Sequence, residues 1–162
     1  MSTTRWLDES EQRVWRAYLE STQRLFDRLE RELDDYSDLP LPEYEILVRL
    51  SEAPGSELRM SEIAAMLVHS RSRLTHTVTR MEARGLVTRR ACPSDRRGVL
   101  CAITDVGQAA LVEASPVHVT GVREHVFDQL VDEEVAVLGR VMTKLGAHLR
   151  EAPTPAVRRA AS

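Results

Sequence analysis

The stretch SEIAAMLVHSRSRLTHTVTRMEARGLVTRRACPSDRRGVLCAIT, residues 61–104, decides the fold of this chain. Residues 61–70 are mostly apolar, and residues 71–85 combine arginines and hydroxyl side chains with apolar residues at helical spacing. Residues 86–104 are typical of two strands that turn at Pro93-Ser94-Asp95. We predict a short helix, a tight turn, a second helix and a β-hairpin, in that order.

The second helix has two distinct faces. Leu74, Val78 and Met81 recur at steps of four and three and form a stripe that packs into a core. Ser70 is placed to cap the first turn, and Gly85 supplies the left-handed residue that ends the helix. The side chains left facing outward belong to Arg71, Ser72, Arg73, Thr75, His76, Thr79 and Arg80. Because guanidinium and hydroxyl groups can read base edges in the DNA major groove, we predict that this face and Ser70 contact DNA.

The tip of the hairpin is also basic. Asp95 and Arg97 lie two residues apart in a hairpin and therefore on the same face, where the carboxylate can hold the guanidinium extended. Arg96 is better placed to meet a phosphate group. The alternative is an ordinary surface ion pair between Asp95 and Arg97, which would contribute little to stability. Since the tip follows a helix-turn-helix, we expect it to contact DNA.

Positive charge is concentrated in this part of the chain. The 162 residues have a net charge of −3, yet residues 69–97 hold eight arginines against Glu82 and Asp95, a local excess of six positive charges. The rest of the chain has a net charge of −9. An acidic body with one basic segment keeps the electrostatic footprint of a nucleic-acid-binding protein.

Helices are predicted on the N-terminal side of this segment. Ser10 is placed to cap a long amphipathic helix of about 28 residues. Its apolar stripe consists of Val14, Tyr18, Leu25, Leu29, Leu33 and Tyr36. Pro42 lies in the first turn of a second helix, which stops near Ala53-Pro54-Gly55. Ser61 is the predicted N-cap of the third helix.

The C-terminal part is predicted to be helical as well. Thr104 and Asp105 begin a helix that Ser115-Pro116 should kink or divide. Asp132-Glu133-Glu134 opens a last helix. The residues predicted to face inward on that helix are Val135, Leu138, Val141, Leu145 and Leu149. Residues 151–162 are typical of a flexible tail.

Other classes of protein find little support in the sequence. No apolar run approaches the roughly 20 residues of a membrane-spanning helix, so we expect a soluble, cytoplasmic protein. The five histidines form no HExxH pattern and no cysteine pair has zinc-finger spacing, so no metal, cofactor or enzymatic activity is predicted. In a hairpin that turns around Asp95, Cys92 would pair with about Gly98 rather than Cys101, so we expect no disulfide.

The segment SEIAAMLVHSRSRLTHTVTRMEARGLVTRR followed by DRRGVLCAITDVG resembles the MarR family of winged helix-turn-helix regulators. The second part is similar to the family's Asp-x-Arg wing signature and its closing Leu-Thr-x-x-Gly, with Ile103 in place of the leucine. Asp95, Arg97 and Thr104 fall at the family spacing. The resemblance covers roughly residues 10–150 and implies a mainly α fold with a small β-hairpin wing.

The resemblance also implies roles for individual segments. Arg97 would be the finger that enters the minor groove, with Asp95 as its orienting partner. Many members carry an arginine where this chain has His76. The protein is expected to bind a pseudo-palindromic operator in double-stranded DNA as a homodimer, most often as a repressor. The implied organisation is a dimerisation helix in 1–38, a DNA-binding domain in 39–104 with its recognition helix at about 70–84 and its wing at about 86–104, and dimerisation helices in 105–150.

Members of the family often bind small phenolic or other aromatic acids in a crevice between the dimerisation helices and the DNA-binding lobe. By this resemblance, the candidates for lining such a crevice are Trp15, Tyr18, Tyr36, Tyr44, His69 and His118. Each could equally be a packed or half-exposed side chain without a ligand. Peroxide sensors of the family carry a reactive cysteine near the first helix, and this chain has none there.

Two functions therefore stay open from the sequence. One is a ligand-modulated regulator that binds DNA, and the other is a winged-helix module for protein–protein interaction that has lost DNA readout. A protein–protein interaction module would not require the arginines that face outward on the helix at residues 71–85. Likewise, the apolar stripes of the terminal helices either cover a second chain or complete a monomeric core.

Overall fold

A computed structural model of the chain describes residues 4–67, 70–93 and 95–151, with the side chains of Arg71, Arg96 and Arg97 excepted. The helices are α1 (Glu9–Tyr36), α2 (Leu41–Glu52), α3 (Met60–Met66), α4 (Arg71–Ala83), α5 (Asp105–His125) and α6 (Asp132–Glu151). The strands are β1 (Glu57–Arg59), β2 (Val87–Cys92) and β3 (Asp95–Ile103). The predicted mainly α fold with a small β wing is confirmed, while the predicted tail lies, from residue 152 onward, outside the described residues.

The three strands form one antiparallel sheet in the order β1-β3-β2. Strand β1 was not predicted, because three residues are too few to show an alternating pattern. A β-bulge between Ala91 and Cys92 shifts the register, so the partner of Cys92 is Asp95 and not Gly98 as predicted. Cys101 pairs with Arg89, and the two cysteines are therefore not cross-strand neighbours.

The hydrophobic core is centred on α2, which has Ile46, Leu47 and Leu50 fully buried. The predicted stripe of α4 packs into the same core, with Leu74, Val78 and Met81 at most 1% exposed. This core belongs to a compact unit that comprises Met1–Val122, and the second unit comprises Arg123–Ser162. Burial of an apolar face of α4 fixes which of its residues face outward.

Two helices begin at other residues than predicted. The N-cap of α1 is Asp8 and not Ser10: its carboxylate accepts from the Glu11 backbone amide at 2.8 Å, and the Glu11 carboxylate accepts from the Asp8 amide at 3.0 Å. Ser61 lies inside α3, and the backbone amide that precedes the helix, that of Arg59, donates to the Glu62 carboxylate at 2.8 Å. In both cases a glutamate in the first turn determines the start.

Helix α4 and the junction that follows it form as predicted. The Ser70 hydroxyl accepts from the Arg73 amide at 3.3 Å, and Gly85 has the left-handed φ of 73°. The Thr104 hydroxyl lies 2.6 Å from the Gly85 carbonyl oxygen and accepts from the Gly107 amide at 3.0 Å. Thr104 thereby joins the end of α4, the base of the wing and the start of α5.

Helix α5 is not divided at Pro116 and runs in one piece from Asp105 to His125. A proline inside a helix removes one backbone hydrogen bond, which predicts a break. Here Leu111 and Ala114 are buried on one side of the proline and Gly121 on the other, so tertiary packing holds both halves. Among the described residues, no helix is long and apolar enough to cross a membrane.

The terminal helices carry apolar side chains that the single chain does not cover. In α1 only Leu29 and Leu33 of the predicted stripe are buried. In α6 no residue is buried, although Val135 and Leu138 are half-buried. The side chains left exposed on these helices include Val14, Trp15, Tyr18, Phe26, Tyr36, Val137, Val141, Leu145 and Leu149. The prediction that Val141, Leu145 and Leu149 face inward is therefore wrong for the single chain.

Candidate nucleic-acid interface

Helix α4 presents one polar face to solvent. Its exposed residues are Ser70, Ser72, Arg73, Thr75, His76, Thr79 and Arg80. The Thr79 hydroxyl donates to the Thr75 carbonyl at 2.8 Å, so part of its hydrogen-bonding capacity is used within the helix. Arg73 makes no ion pair with any other described residue. The face predicted from the sequence is present as a surface, with the side chain of Arg71 outside the described residues.

The wing tip is tied to the rest of the domain through Asp95. Its carboxylate Oδ2 accepts from Nη1 of Arg59, at the end of β1, at 3.0 Å. A Cβ atom on Gly98 would lie 2.9 Å from the same Nη1 and 2.9 Å from Cβ of Cys92, so the tip has no room for a larger residue there. The expected pairing of Asp95 with Arg97 remains a prediction, because the side chains of Arg96 and Arg97 lie outside the described residues.

Several arginines of the basic segment are paired with acidic side chains of the protein. Arg89 lies 2.5 Å from the Glu82 carboxylate, and this hydrogen bond lowers the pKa of Glu82. Arg90 lies 2.7 Å from the Glu57 carboxylate. Arg89 therefore joins the wing to α4, and Arg90 joins β2 to β1. The local excess of positive charge counted from the sequence overstates what reaches solvent, because some of the compensating acids lie outside residues 69–97.

A second internal cluster joins α4 to α2. The carboxylate of Glu43 lies 2.7 Å from Nη1 of Arg84 and 3.4 Å from Nη2 of Arg80. Glu43 is only 2% exposed, which is unusual for a glutamate. Arg84 also donates a hydrogen bond to the backbone carbonyl of Asp38. The arginines compensate the buried carboxylate and fix the C-terminal end of α4 against the start of α2.

Three of the predicted ligand-binding side chains lie on α1, and solvent reaches them. Trp15 and Tyr18 stack with their ring centroids 5.9 Å apart and are 51% and 43% exposed. Tyr36 is 58% exposed. None of the three lines the cavity beside α2 described next. His69 lies outside the described residues.

The other two candidates, Tyr44 and His118, are in contact. Their ring centroids are 4.6 Å apart, and the Tyr44 hydroxyl lies 3.4 Å from Oγ of Ser115. Burial lowers the pKa of His118. Its Nδ1 is buried and has no hydrogen-bond partner among the described residues. Both rings border an open cavity of about 350 Å³, whose other lining residues are Glu45, Val48, Arg49, Glu52 and Leu67.

The two cysteines are buried in the wing and form no disulfide. Burial raises the pKa of the Cys101 thiol to about 11, which keeps it protonated near neutral pH. Among the described residues, no group of three histidine, cysteine or acidic side chains is arranged to hold a metal ion.

The sequence did not reveal Arg59, Glu43 and Glu57 as the partners that hold α4 and the wing in place. Each lies in an element outside the helix-turn-helix motif, and each is joined to it by an ion pair across at least 33 positions. For Glu43 the only signal was a charged residue in the first turn of a predicted helix, and Arg59 and Glu57 lie on β1, which was not predicted. That signal does not specify which charges meet.

The class of protein follows from this arrangement. A capped helix with an exposed face of arginine, histidine and hydroxyl side chains lies in the same domain as a two-stranded basic wing. These are the parts of a winged helix-turn-helix protein that binds DNA. A sequence profile of the MarR family matches residues 37–98, which include α2, α4 and most of the wing.

The chain belongs to the MarR family of transcriptional regulators. It is 41% identical to AbsC from Streptomyces coelicolor, a MarR family regulator, over 92% of this chain and 100% of that chain, with a TM-score of 0.85. It is 42% identical to Sco3205 from the same organism, over 95% and 96% of the two chains and with a TM-score of 0.85; the crystal structure of Sco3205 is a complex with DNA. The transcriptional regulator HosA of Escherichia coli O111:H- is 31% identical over 108 residues, which are 67% of this chain and 78% of HosA. These relatives are regulators of transcription.

Proposed function

We propose that the protein is a homodimeric repressor, which acts in the cytoplasm on a pseudo-palindromic operator and is released by a small aromatic ligand. The exposed face of α4 carries this proposal, because Arg73, His76 and Arg80 lie on it with hydroxyl residues between them. Such a face can form bidentate and single hydrogen bonds with base edges and phosphates. The 42% identity with Sco3205, which was solved in complex with DNA, supports the same mode of binding.

We assign residues Ser70, Arg71, Ser72, Arg73, Thr75 and His76 to the major groove, at the N-terminal end of α4. Thr79 and Arg80, further along the helix, are assigned to the DNA backbone. Arg97 is proposed as the minor-groove finger and Arg96 as a phosphate contact. The ion pair between Asp95 and Arg59 supports this assignment, because it anchors the first residue of the strand that carries both arginines.

The proposed dimer rests on the exposed apolar side chains of α1 and α6. Apolar side chains exposed on each helix, such as Trp15 and Tyr18 on α1 and Val141 and Leu145 on α6, are unfavourable in water and favour association. We therefore propose residues 1–38 and 105–150 as the dimerisation region and residues 39–104 as the DNA-binding domain. A two-fold dimer would place two α4 helices on two half-sites about one turn of DNA apart. A monomer at micromolar concentration in sedimentation equilibrium would contradict this part.

The proposed ligand site is the cavity beside Tyr44 and His118. Its volume of about 350 Å³ is enough for a small aromatic molecule, and the rings of Tyr44 and His118 on its wall offer aromatic surface to pack against. The test is a panel of phenolic acids added to the protein–operator complex, with Tyr44→Phe and His118→Phe as variants. A ligand that releases the wild type but not these variants supports the site, and release that is equal in all three contradicts it.

The DNA-binding part is tested with duplexes selected from fragments of the source genome. Fluorescence anisotropy at several salt concentrations should show a steep linear decrease of log affinity with log salt, because each phosphate contact releases counterions. Arg73→Ala should weaken binding to the selected duplex more than binding to a scrambled duplex. Absence of salt-dependent binding would favour the alternative, a winged-helix module for protein–protein interaction.

A further inference from the structure

The buried carboxylate of Glu43 contacts two arginines, and one of them is held by more contacts than the other. Its side chain is 3% exposed and lies in the first turn of α2, so it cannot itself reach DNA. One oxygen lies 2.7 Å from Nη1 of Arg84, and the other lies 3.4 Å from Nη2 of Arg80. Two cations on one carboxylate leave the cluster with a net positive charge.

Arg84 is held firmly and Arg80 is held loosely. Arg84 also donates to the Asp38 carbonyl, and its side chain is 38% exposed. Arg80 has only the longer contact with Glu43 among the described residues, and its side chain is 68% exposed. Arg84 alone can therefore compensate the Glu43 carboxylate while the Arg80 guanidinium moves away.

Arg80 also lies where DNA would be bound. It lines an open cavity of about 560 Å³ together with Arg73, His76, Thr79 and Pro42, on the face of α4 proposed to contact DNA. A phosphate in that position would attract the Arg80 guanidinium more strongly than a contact of 3.4 Å to an already paired carboxylate. Glu43 and a phosphate of the DNA backbone would therefore compete for the Arg80 guanidinium.

We infer that Glu43 is an internal competitor of DNA: it restrains Arg80 in the unbound protein, and a backbone phosphate takes Arg80 from it when the operator binds. Arg84 then remains as the partner of Glu43 and keeps the end of α4 docked on α2. This inference rests on the proposed DNA-binding mode. It makes Glu43 a positioning residue that lowers operator affinity, although it lies in the protein interior.

The test is a double-mutant cycle measured by fluorescence anisotropy on one operator duplex. Glu43→Gln keeps the size of the side chain and removes its charge, so it should tighten binding about twofold to fivefold, the range expected when the exposed Arg80 guanidinium loses one weak ion pair. Arg80→Ala should weaken binding and reduce the slope of log affinity against log salt by about 0.9, the value of one phosphate contact. In the Arg80→Ala background, Glu43→Gln should leave the affinity unchanged.

Other outcomes would overturn the inference in distinguishable ways. Weaker binding of Glu43→Gln in both backgrounds would show a structural role only, and equal tightening in both would show an effect of net charge. Glu113→Gln is the matched control, since it makes the same charge change on an exposed side chain of α5, away from α4 and the wing, and should not tighten binding. If Glu43→Gln does not fold in thermal melts, Glu43→Asp retains the charge but withdraws it from Arg80, and unchanged affinity would refute competition. Loss of salt-dependent binding by the wild type would refute the proposed function itself.

Discussion

Gly107 allows the start of α5 to approach the junction between α4 and the wing. An added Cβ atom would lie 2.1 Å from the Leu86 carbonyl oxygen and 3.0 Å from Cγ1 of Ile103. The first distance is far inside the ordinary contact range of about 3.5 Å. The Leu86 oxygen cannot move aside easily, because it accepts from the Thr104 backbone amide at 3.1 Å. We therefore predict that Gly107→Ala displaces α5 from this junction.

The size of the effect follows from two opposing contributions. Overpacking against a fixed backbone group costs about 3 kcal/mol, the upper end of the usual range. Alanine is about 1 kcal/mol more favourable than glycine inside a helix, which offsets part of this cost. The net loss is then about 2 kcal/mol, or roughly 4–8 °C in melting temperature for a domain of this size.

The assay is thermal and urea unfolding of Gly107→Ala beside a matched control, Gly139→Ala. Apart from its chain neighbours and the backbone of its own helix, a Cβ atom on Gly139, inside α6, would have no described atom within 4 Å, so this variant should be unchanged or slightly more stable. Both variants make the same chemical change in a helix, and only the surroundings differ. A Gly107→Ala protein as stable as the wild type would refute the packing argument.

Three further predictions concern DNA binding and titration. Arg97→Ala should weaken operator binding by at least about tenfold, or ~1.4 kcal/mol, at fixed salt; unchanged affinity in fluorescence anisotropy, with folding intact, would remove the proposed minor-groove role. Because burial lowers the pKa of His118, the unfolded chain binds the proton more readily, so the stability linked to this residue is complete above about pH 6.5 and is lost as the pH falls toward the folded pKa. Urea unfolding at pH 7.5 and 5.5 should then show a smaller loss of stability in His118→Phe than in the wild type, and equal losses would contradict this assignment. Cys101, whose pKa is raised to about 11, should react with a thiol reagent at pH 8 much more slowly in the native protein than in urea; equal rates would contradict its burial.

Periodicity predicted the parts of the interface that depend on local sequence. The stripe of Leu74, Val78 and Met81 fixed the outward face of α4, because a helix has only one way to bury three residues at that spacing. Gly85 fixed the end of α4, since the left-handed conformation there is unfavourable for other residues. These features require no knowledge of distant contacts.

The ion pairs of the site could not be predicted in the same way. Glu43 and Arg84 lie 41 positions apart in the chain, and their contact exists only because α2 and α4 pack together. The start of α1 was misassigned for a different reason, because Asp8 and Ser10 are similar in capping preference. Glu11 decides between them by completing a reciprocal pair with Asp8. At Pro116 the local sequence was misleading: the proline predicts a break in the helix, but tertiary packing keeps α5 continuous.

Because Arg59 forms an ion pair with Asp95, the wing depends on a residue that lies outside the contiguous hairpin. The two residues are 36 positions apart and are joined at 3.0 Å across the sheet. A chimaera that receives only the contiguous hairpin of another regulator, residues 86–104, would separate the tip from its anchor on β1. Transfer of operator preference between relatives would therefore require grafting position 59 together with the hairpin, and substitutions at positions 59 and 95 would have to compensate each other.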